Sequence, residues 1–249
     1  MSQQQVALVT GASSGLGEEY CRQLADRCDR IIAVARRQDR LEALAGELAG
    51  KTRIIAVKAD LGTAAGIAQT LAAAQAEGPV DILVNNAGYS PYSQFAEGDL
   101  QQQMGMIPIH CEATVALCHA VLPAMLEKGR GTIINVSSVA AFVTGPTLTV
   151  YSGTKAFINY FSQALLAEVG GRGVDIQVFC PGLVHTGLHA PMEEQGFNKA
   201  AFPAEMWMTS SEAIATSIAA LGTGKLFVIP GEQNVATVRQ RLQALVDSL

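Results

Sequence analysis

The sequence predicts an α/β fold in a single domain over residues 1–249, with a doubly wound, seven-stranded parallel sheet and helices on both faces. Two observations predict it. Short apolar runs rich in β-branched residues alternate along the chain with stretches of helical spacing, which is the pattern of a parallel sheet with crossover helices. The chain has 249 residues, of which 49% are hydrophobic, and this is enough to bury one full core.

The strands are predicted at seven runs. Each run is apolar along most of its length, as expected for a strand buried on both faces. The runs are VALVT from Val6, IIAVA from Ile31, IIAVK from Ile54, DILVN from Asp81, GTIINVS from Gly131, VDIQVF from Val174 and LFVIP from Leu226. Ligands of such a sheet bind at the carboxyl ends of the strands, near the point where the strand order reverses.

One long stretch breaks the alternation of strands and helices. Residues 187–209 mix apolar, aromatic and charged residues without a strand period, and we expect a partly helical flap over the ligand-binding edge of the sheet. Its large apolar residues favour an apolar substrate pocket, the alternative being plain packing. They are Phe197, Phe202, Met206, Trp207 and Met208. Thr209, with Glu212 three residues on, predicts a capping box at the start of the next helix.

Composition excludes several classes of partner. The formal net charge is -5 and the lysines and arginines are scattered, so we expect no nucleic-acid partner. No run of about eighteen apolar residues occurs, so no membrane span is expected. The first residues lack the features of a secretory signal.

Reduced, mostly buried thiols in the cytoplasm are expected because the cysteines lack zinc-binding spacings. They are Cys21, Cys28, Cys111, Cys118 and Cys180.

A glycine-rich turn follows the first predicted strand. It reads TGASSGLG over residues 10–17 and leads into a helical run. Gly11 permits the tight turn, Gly15 lets the backbone approach a pyrophosphate, and Gly17 lets the helix pack on the strand. The helix N-terminus then faces the phosphates. This position in the chain favours a dinucleotide-binding, Rossmann-like domain over an ordinary glycine-rich turn.

The end of the second strand indicates which dinucleotide is bound. Dehydrogenases that bind the ribose 2′-hydroxyl place a carboxylate there, whereas this chain has Arg36 and Arg37. Arg36, helped by Arg37 and by the hydroxyl of Ser13 or Ser14, is predicted to pair with a 2′-phosphate. NADP(H) is therefore favoured over NAD(H), which stays possible. The alternative is that both arginines are solvated residues at a helix start.

Tyr151 and Lys155 form the candidate acid-base pair. They are four residues apart in a run with helical period, so they share one face of a helix,. A neighbouring ammonium lowers the pKa of a phenol, and we expect Tyr151 to become a general acid or base in this way. The alternative is an ordinary exposed helix pair.

Five motifs in order resemble the short-chain dehydrogenase/reductase family along nearly the whole chain. They are TGxxxGxG at residues 10–17, NNAG at 85–88, the serines at 137–138, YSGTK at 151–155 and PGLVHT at 181–186. The resemblance implies hydride transfer between a nicotinamide and a carbonyl or alcohol. It implies that Ser138 hydrogen-bonds the substrate oxygen, that Lys155 binds the nicotinamide ribose, and that the chain forms homodimers or homotetramers by packing helices.

Motifs and resemblance together give the predicted cofactor-binding set. Its members are Gly11, Ser13, Ser14, Gly15, Leu16, Gly17, Arg36, Arg37, Asp60, Leu61, Asn86, Ala87, Gly88, Tyr151, Lys155, Pro181, Gly182, Val184 and Thr186. The predicted activity is NADP(H)-dependent oxidation or reduction of an apolar small-molecule carbonyl or alcohol. A 3-oxoacyl-thioester or steroid-type reductase is an alternative. So is a catalytically inactive dinucleotide sensor, although the intact Ser138, Tyr151 and Lys155 speak against it.

Three histidines could have a chemical role or a purely structural one. Members of the family that this chain resembles usually carry asparagine where it has His110. Pro108, two residues earlier, predicts a kinked helix with free backbone groups. We expect His110 to pass protons and to titrate near 6.5; the alternative is a structural hydrogen bond. His185, His189 and Glu193 have a spacing that suits a metal, but Gly187 and Pro191 interrupt the helix this needs. No metal site is predicted.

Overall fold

The chain folds into a central parallel sheet covered by helices. The computed structural model describes residues 5–248, so residues 1–4 and 249 of the predicted domain lie outside the described part. The strands are β1 Val6–Thr10, β2 Arg30–Ala35, β3 Arg53–Lys58, β4 Ile82–Asn85, β5 Gly131–Val136, β6 Val174–Phe179, β7 Leu183–His185, β8 Trp207–Thr209 and β9 Phe227–Val228. Seven of them form one sheet in the order β3-β2-β1-β4-β5-β6-β9, with every neighbouring pair parallel. The predicted fold class is confirmed.

Helices lie between strands along the chain, and the last helix follows the last strand. They are α1 Gly15–Leu24, α2 Gln38–Leu48, α3 Ala64–Glu77, α4 Leu100–Ile107, α5 Ala113–Lys128, α6 Thr149–Val169, α7 Ala190–Glu194, α8 Ser210–Ala219 and α9 Glu232–Val246. A π-helical segment, Pro108–Glu112, joins α4 to α5. Short 3₁₀ turns lie at Val139–Ala141, Lys199–Ala201 and Ala204–Met206.

Each face of the sheet carries its own core. On one face Leu24 of α1, Leu41 of α2 and Ile214 of α8 pack against the strands. On the other, Leu117 of α5 and Val169 of α6 do so. Alternate residues of each strand point to opposite faces, and apolar residues at both faces give the uninterrupted apolar runs seen in the sequence.

The strand order reverses between β1 and β4. The chain runs outward from β1 through β2 to β3, then returns to place β4 on the other side of β1. The two crossovers therefore leave the shared edge in opposite directions and open a crevice between the turns after β1 and β4. In doubly wound sheets this crevice is where ligands bind.

The predicted kink at Pro108 is a π-helical segment. Proline cannot donate a backbone hydrogen bond, and here the Ala113 N–H bonds to the Pro108 carbonyl five residues back. Together α4, this segment and α5 form a helical stretch, Leu100–Lys128, that is long and apolar enough to cross a membrane by those two measures alone. Polar residues interrupt its apolar runs, which is why the sequence suggested no span. Leu117 and Met125 bury its inner face against the sheet, as in a core helix.

The flap differs from its prediction at one end. It contains α7 and two 3₁₀ turns, but its last residues form β8, which pairs with β7 in a small parallel sheet. Three residues are too few to show a strand period in the sequence. The predicted capping box is confirmed, because the Thr209 side chain accepts from the Glu212 N–H and the Glu212 carboxylate accepts from the Thr209 N–H.

The cysteines are free thiols. Four are buried, whereas Cys111 is half-buried. It lies on the π-helical segment and lines a groove on the outer surface of the helices.

Candidate active site

The glycine turn is shaped by close backbone contacts. Gly11 has φ +69, and Gly15, at the first position of α1, has φ +58, a region that favours glycine. A Cβ atom on Gly17 would lie 2.4 Å from the carbonyl oxygen of Gly11, so α1 approaches β1 as closely as it does only because residue 17 has no side chain. Leu16 packs against the core below. The turn and the N-terminus of α1 therefore present backbone to the crevice.

Thr10 ties the glycine turn to the turn after β4. Its hydroxyl donates to the Val84 carbonyl at 3.2 Å and accepts from the backbone N–H groups of Asn86 and Ala87 at 2.9 and 3.0 Å. The Asn86 side-chain amide donates to the Thr10 carbonyl at 2.9 Å. The Asn86 side chain thus holds two turns together, beyond the cofactor contact predicted for it. Sequence reasoning gave Thr10 no role, although it is the first letter of the motif.

The two arginines after β2 lie in different surroundings. The guanidinium of Arg37 donates to the hydroxyls of Ser13, at 3.0 Å, and Ser14, at 2.6 Å. Arg36 lies near Tyr89, where its charge lowers the pKa of the phenol against the larger effect of burial. Within residues 5–248 neither arginine forms a salt bridge with a carboxylate. Arg37 therefore lies on the glycine turn, and in the part of the chain that the structure describes neither arginine has its charge paired with a carboxylate in a salt bridge.

Asp60 and Leu61 form the turn after β3. The Asp60 carboxylate accepts from the Gly62 N–H at 3.0 Å, and its carbonyl accepts from the Thr63 hydroxyl. Leu61 is buried in the core. Asp60 is also one of the charges near Tyr89, so this turn lies at the same edge of the sheet as Arg36.

The candidate catalytic group lies at the end of β5. Ser138 follows the strand, and its hydroxyl accepts from the Ala140 N–H at 3.1 Å. Lys155 of α6 is 6% exposed and donates from Nζ to the Val136 carbonyl at 2.9 Å, while the Ser137 hydroxyl donates to the carbonyl of Lys155. Lys155 Nζ lies 5.7 Å from the centre of the Tyr151 ring. The structure therefore brings together Ser138, Tyr151 and Lys155, three of the four predicted catalytic residues.

The pKa of Tyr151 differs from its prediction. Burial raises it above the ordinary value of a phenol, and the neighbouring Ser138 hydroxyl lowers it by less. Burial also lowers the pKa of Lys155 to about 8. We expected the ammonium to lower the pKa of the phenol, and this expectation is wrong. Desolvation disfavours the charged forms of both groups. At neutral pH Tyr151 is a neutral phenol, which is the proton-donating form.

The Pro181–Gly182 turn lies beside the catalytic group. The Pro181 carbonyl accepts from the Val139 N–H at 3.0 Å, which fixes the turn next to Ser138. Val184 is buried, and the Thr186 side chain lies against Gly15, where a Cβ atom would be 3.2 Å from it. The predicted nicotinamide-side and pyrophosphate-side residues therefore face one crevice.

His110 is buried between the turn after β4 and α6. Burial lowers its pKa well below 6.5, and the charge of Lys155 acts in the same direction. The expectation that it titrates near 6.5 is therefore wrong. A Cβ atom on Gly88 would lie 2.4 Å from His110 Nε2, so the predicted cofactor residue Gly88 also makes room for the imidazole.

Known proteins resemble this chain in sequence and in fold. The sequence matches the short chain dehydrogenase family over residues 5–196. The chain belongs to this family. It is 34% identical over 201 residues to a very-long-chain 3-oxoacyl-CoA reductase of Anas platyrhynchos, a match that covers 78% of this chain but only 64% of that protein.

Solved structures of short-chain dehydrogenases share the fold over nearly the whole chain. One, from Sphingobium yanoikuyae in complex with NADPH, has a TM-score of 0.85 at 27% identity, over 98% of this chain and 96% of that one. Another, the bulky-bulky ketone specific alcohol dehydrogenase from Comamonas testosteroni, has a TM-score of 0.81 at 26% identity, over 100% and 96%. The cofactor of this short-chain dehydrogenase is a nicotinamide dinucleotide, and the bare backbone of the glycine turn fits its pyrophosphate.

Besides Thr10, two further residues of this short-chain dehydrogenase were missed by sequence reasoning. Asn234 of α9 lies against Gly182, where a Cβ atom would be 2.4 Å from its side-chain oxygen, and it donates to the Pro230 carbonyl. Nothing in the sequence links positions so far apart. Thr147, four residues before Tyr151, has φ 69 and is the single non-glycine residue with positive φ among residues 5–248. Its strain comes from the backbone conformation, which the sequence does not reveal.

The histidines considered for a metal lie in an aromatic cluster. His185 and His189 both contact the ring of Trp207, with centroids 5.1 and 5.0 Å apart. Within residues 5–248 the structure brings together no three side chains of the types that bind metals.

Proposed function

We propose that this chain is an NADP(H)-dependent oxidoreductase that transfers hydride between the nicotinamide and a carbonyl or alcohol carbon of an apolar substrate. One observation carries the proposal. Ser138, Tyr151 and Lys155 meet at the carboxyl end of β5, beside the glycine turn and the Pro181–Gly182 turn. Inactive dinucleotide sensors have no need of an acid at this position.

The side chains divide the reaction between them. The nicotinamide, when bound, supplies or accepts the hydride. In reduction the neutral phenol of Tyr151 donates its proton to the carbonyl oxygen, and the Ser138 hydroxyl donates a hydrogen bond to the same oxygen. Lys155, held by the Val136 carbonyl, places a positive charge next to the phenolate as it forms, and this charge stabilises it.

The preference for NADP(H) rests on Arg36 and Arg37. A 2′-phosphate carries negative charge and several acceptor oxygens, which guanidinium groups bind by charge-assisted hydrogen bonds. The hydrogen bonds of Arg37 to Ser13 and Ser14 go to neutral oxygens, so they orient its charge without neutralising it. The similar structure from Sphingobium yanoikuyae holds NADPH. Arg37 is therefore proposed as the better positioned of the two arginines.

An apolar substrate is proposed from the lining of the flap. Phe197 packs against Phe202 and Tyr92, with ring centroids 5.5 and 5.4 Å apart. The Tyr92 N–H donates to the Gln195 side chain at 2.6 Å, which fastens the flap to the loop after β4. An aromatic wall of this kind favours apolar ligands. The alcohol dehydrogenase from Comamonas testosteroni, named for bulky ketones, has a similar fold.

Reduction of a 3-oxoacyl thioester is the second candidate function. It is favoured by the 34% identity with the 3-oxoacyl-CoA reductase of Anas platyrhynchos. The catalytic group would be the same, because the reacting carbon is again a ketone. The two candidates differ in whether the cleft accepts a thioester chain.

A homodimer is proposed from the outer face of α5 and α6. Phe157 is 42% and Tyr160 75% exposed, and Val115 lies across the groove from Phe157. This groove, with a volume of about 640 Å³, is lined mainly by apolar side chains, and we take such a surface as the candidate interface. A second copy, packing the same helices about a twofold axis, would cover it.

Turnover measured with NADPH and with NADH tests the proposal. The panel contains bulky ketones, aldehydes and 3-oxoacyl thioesters, each at equal concentration. We expect NADPH oxidation with at least one ketone class, and the preferred class decides between the two candidates. Tight NADPH binding without turnover on any member would support the inactive sensor instead.

A further inference from the structure

His110 links two backbone segments that border the candidate active site. It is 2% exposed and lies in the π-helical segment. Its Nε2 atom lies 3.2 Å from the backbone nitrogen of Tyr89, and its Nδ1 atom lies 2.8 Å from the hydroxyl oxygen of Thr154 on α6. The imidazole therefore bridges the turn after β4 and the helix that carries Tyr151.

The hydrogen bonds determine where each proton in this bridge lies. A backbone N–H can only donate, so Nε2 accepts and the neutral ring carries its proton on Nδ1. The Nδ1–H then donates to Thr154, whose own hydroxyl proton goes to the carbonyl of Tyr151 at 2.8 Å. The donors point in one direction, from Tyr89 through His110 and Thr154 to the backbone of Tyr151.

The surroundings hold the imidazole in this place. Gly88 leaves the space for it, and the Tyr151 ring lies edge-on to it with centroids 5.8 Å apart. The Thr114 hydroxyl donates to the His110 carbonyl at 2.7 Å. The backbone of His110 is therefore also held within the helical stretch.

The same contacts leave no route for a proton through the ring. A relay must take a proton at one nitrogen and release it at the other, but Nε2 faces a backbone donor and Nδ1 faces a hydroxyl committed to a carbonyl. Lys155 Nζ makes its hydrogen bond to the Val136 carbonyl. Within residues 5–248 the charged or titratable groups around the ring are Lys155, Tyr151, Tyr89 and Cys111, and none of them carries a carboxylate that would stabilise an imidazolium.

From this geometry we propose that His110 is a positioning residue, which holds Tyr151 in register with the turn after β4 and does not itself carry the proton. The proposal rests on the proposed function, because it takes Tyr151 as the proton donor. A displaced acid loses much of its effect, since a misplacement of about 1 Å can cost about a hundredfold in rate.

Three substitutions separate the two halves of the bridge. His110→Asn keeps a donor near the place of Nδ1, His110→Gln keeps an acceptor near the place of Nε2, and His110→Ala keeps neither. We expect the Ala variant to lower kcat by about a hundredfold and the Asn and Gln variants to lower it less. The KM for NADPH should change by less than about twofold, because the glycine turn and the arginines after β2 are unchanged in all three variants.

Thr154 gives the matched test on the partner side. Thr154→Val removes the acceptor for Nδ1 and should lower kcat, whereas Thr154→Ser keeps the hydroxyl and should restore it. Combined with His110→Ala, Thr154→Val should add little further loss, because both break the same chain. A Thr154→Val variant with wild-type kcat would overturn the proposal.

The pH dependence separates positioning from relay. The wild-type kcat profile should have no limb between about pH 6 and 7, and His110→Asn should not alter its shape. A limb in that range that disappears in the Asn variant would show that His110 carries the proton.

A measurement on the resting protein needs no turnover. Nitrogen-15 NMR of the four histidines, with His110 assigned from the Asn variant, should show the neutral Nδ1–H form from about pH 6 to 8. An imidazolium in that range, or the Nε2–H form, overturns the proposal. If the wild type reduces no carbonyl in the panel, the proposed function fails, while the NMR result still decides the state of His110.

Discussion

The ammonium nitrogen of Lys155 lies 5.7 Å from the centre of the Tyr151 ring and 2.9 Å from the carbonyl oxygen of Val136. The sheet therefore holds the lysine through the last residue of β5, while α6 supplies both side chains. Because the lysine is anchored to the strand, its charge is held beside the phenol. The charge state of Lys155 should then set the upper pH limit of the reaction.

Replacing Tyr151 with Phe should remove the proton donor and leave the cofactor site intact. We expect kcat to fall by at least about a hundredfold, the lower end of general acid catalysis, with the Kd for NADPH unchanged by fluorescence titration. Tyr160→Phe is the control, since Tyr160 lies on the same helix but is 75% exposed. A Tyr151→Phe enzyme that keeps more than about a tenth of the wild-type rate would show that another group is the acid.

Activity should fall as the pH rises through about 8, the pKa to which burial lowers Lys155. Below that pH the ammonium is charged and can bind the cofactor and stabilise the phenolate; above it the amine is neutral. The measurement is kcat/KM for NADPH against pH, which reports groups of the free enzyme. A profile that is flat to about pH 10, near the ordinary pKa of lysine, would contradict the assignment.

Arg37→Ala should weaken NADPH binding and spare NADH binding. Loss of charge-assisted hydrogen bonds to a 2′-phosphate should raise the KM for NADPH by about tenfold or more. Arg36→Asp should shift the preference from NADPH toward NADH further, because a carboxylate repels the phosphate. Arg40→Ala, an exposed arginine of α2, is the control. Should the wild type already prefer NADH, the phosphate-binding role of both arginines is wrong.

Thr147→Asn should stabilise the fold. A β-branched residue with φ 69 is strained, whereas asparagine tolerates this region. Relief of about 1 kcal/mol corresponds to a rise of about 2–4 °C in Tm for a chain of this size. Thr144→Asn, in the same loop without positive φ, should leave Tm unchanged. Equal shifts in both variants would show that strain is not the cause.

Tyr160→Asp should convert the proposed dimer to a monomer, since a buried carboxylate without a partner is costly at an interface. Molar mass from light scattering after size-exclusion chromatography measures this directly. Leu245→Asp, at the end of α9 where Leu245 is 57% exposed, is the matched control. If the wild type is a monomer, the proposed dimer does not exist. If only the α9 variant dissociates, the interface lies elsewhere.

Local patterns in the sequence were enough to predict most of the elements. The runs from Val6 and Gly131 became β1 and β5 because a strand buried on both faces must be apolar along its length. The Thr209–Glu212 capping box was visible for a similar reason, since both partners lie within one helical turn. β8 was missed, because its three residues, Trp207–Thr209, take their strand conformation from pairing with β7 rather than from their own pattern.

The sequence by itself determined the sheet, the glycine turn and the shared helix face of Tyr151 and Lys155, because each depends on spacing along the chain. Only the tertiary structure decided the rest. Burial raised the pKa of Tyr151 where spacing alone suggested that the ammonium would lower it. His110 became a neutral bridge because β4, the π-helical segment and α6 converge on it, and desolvation and hydrogen-bond partners at such a point come from residues far apart in the chain.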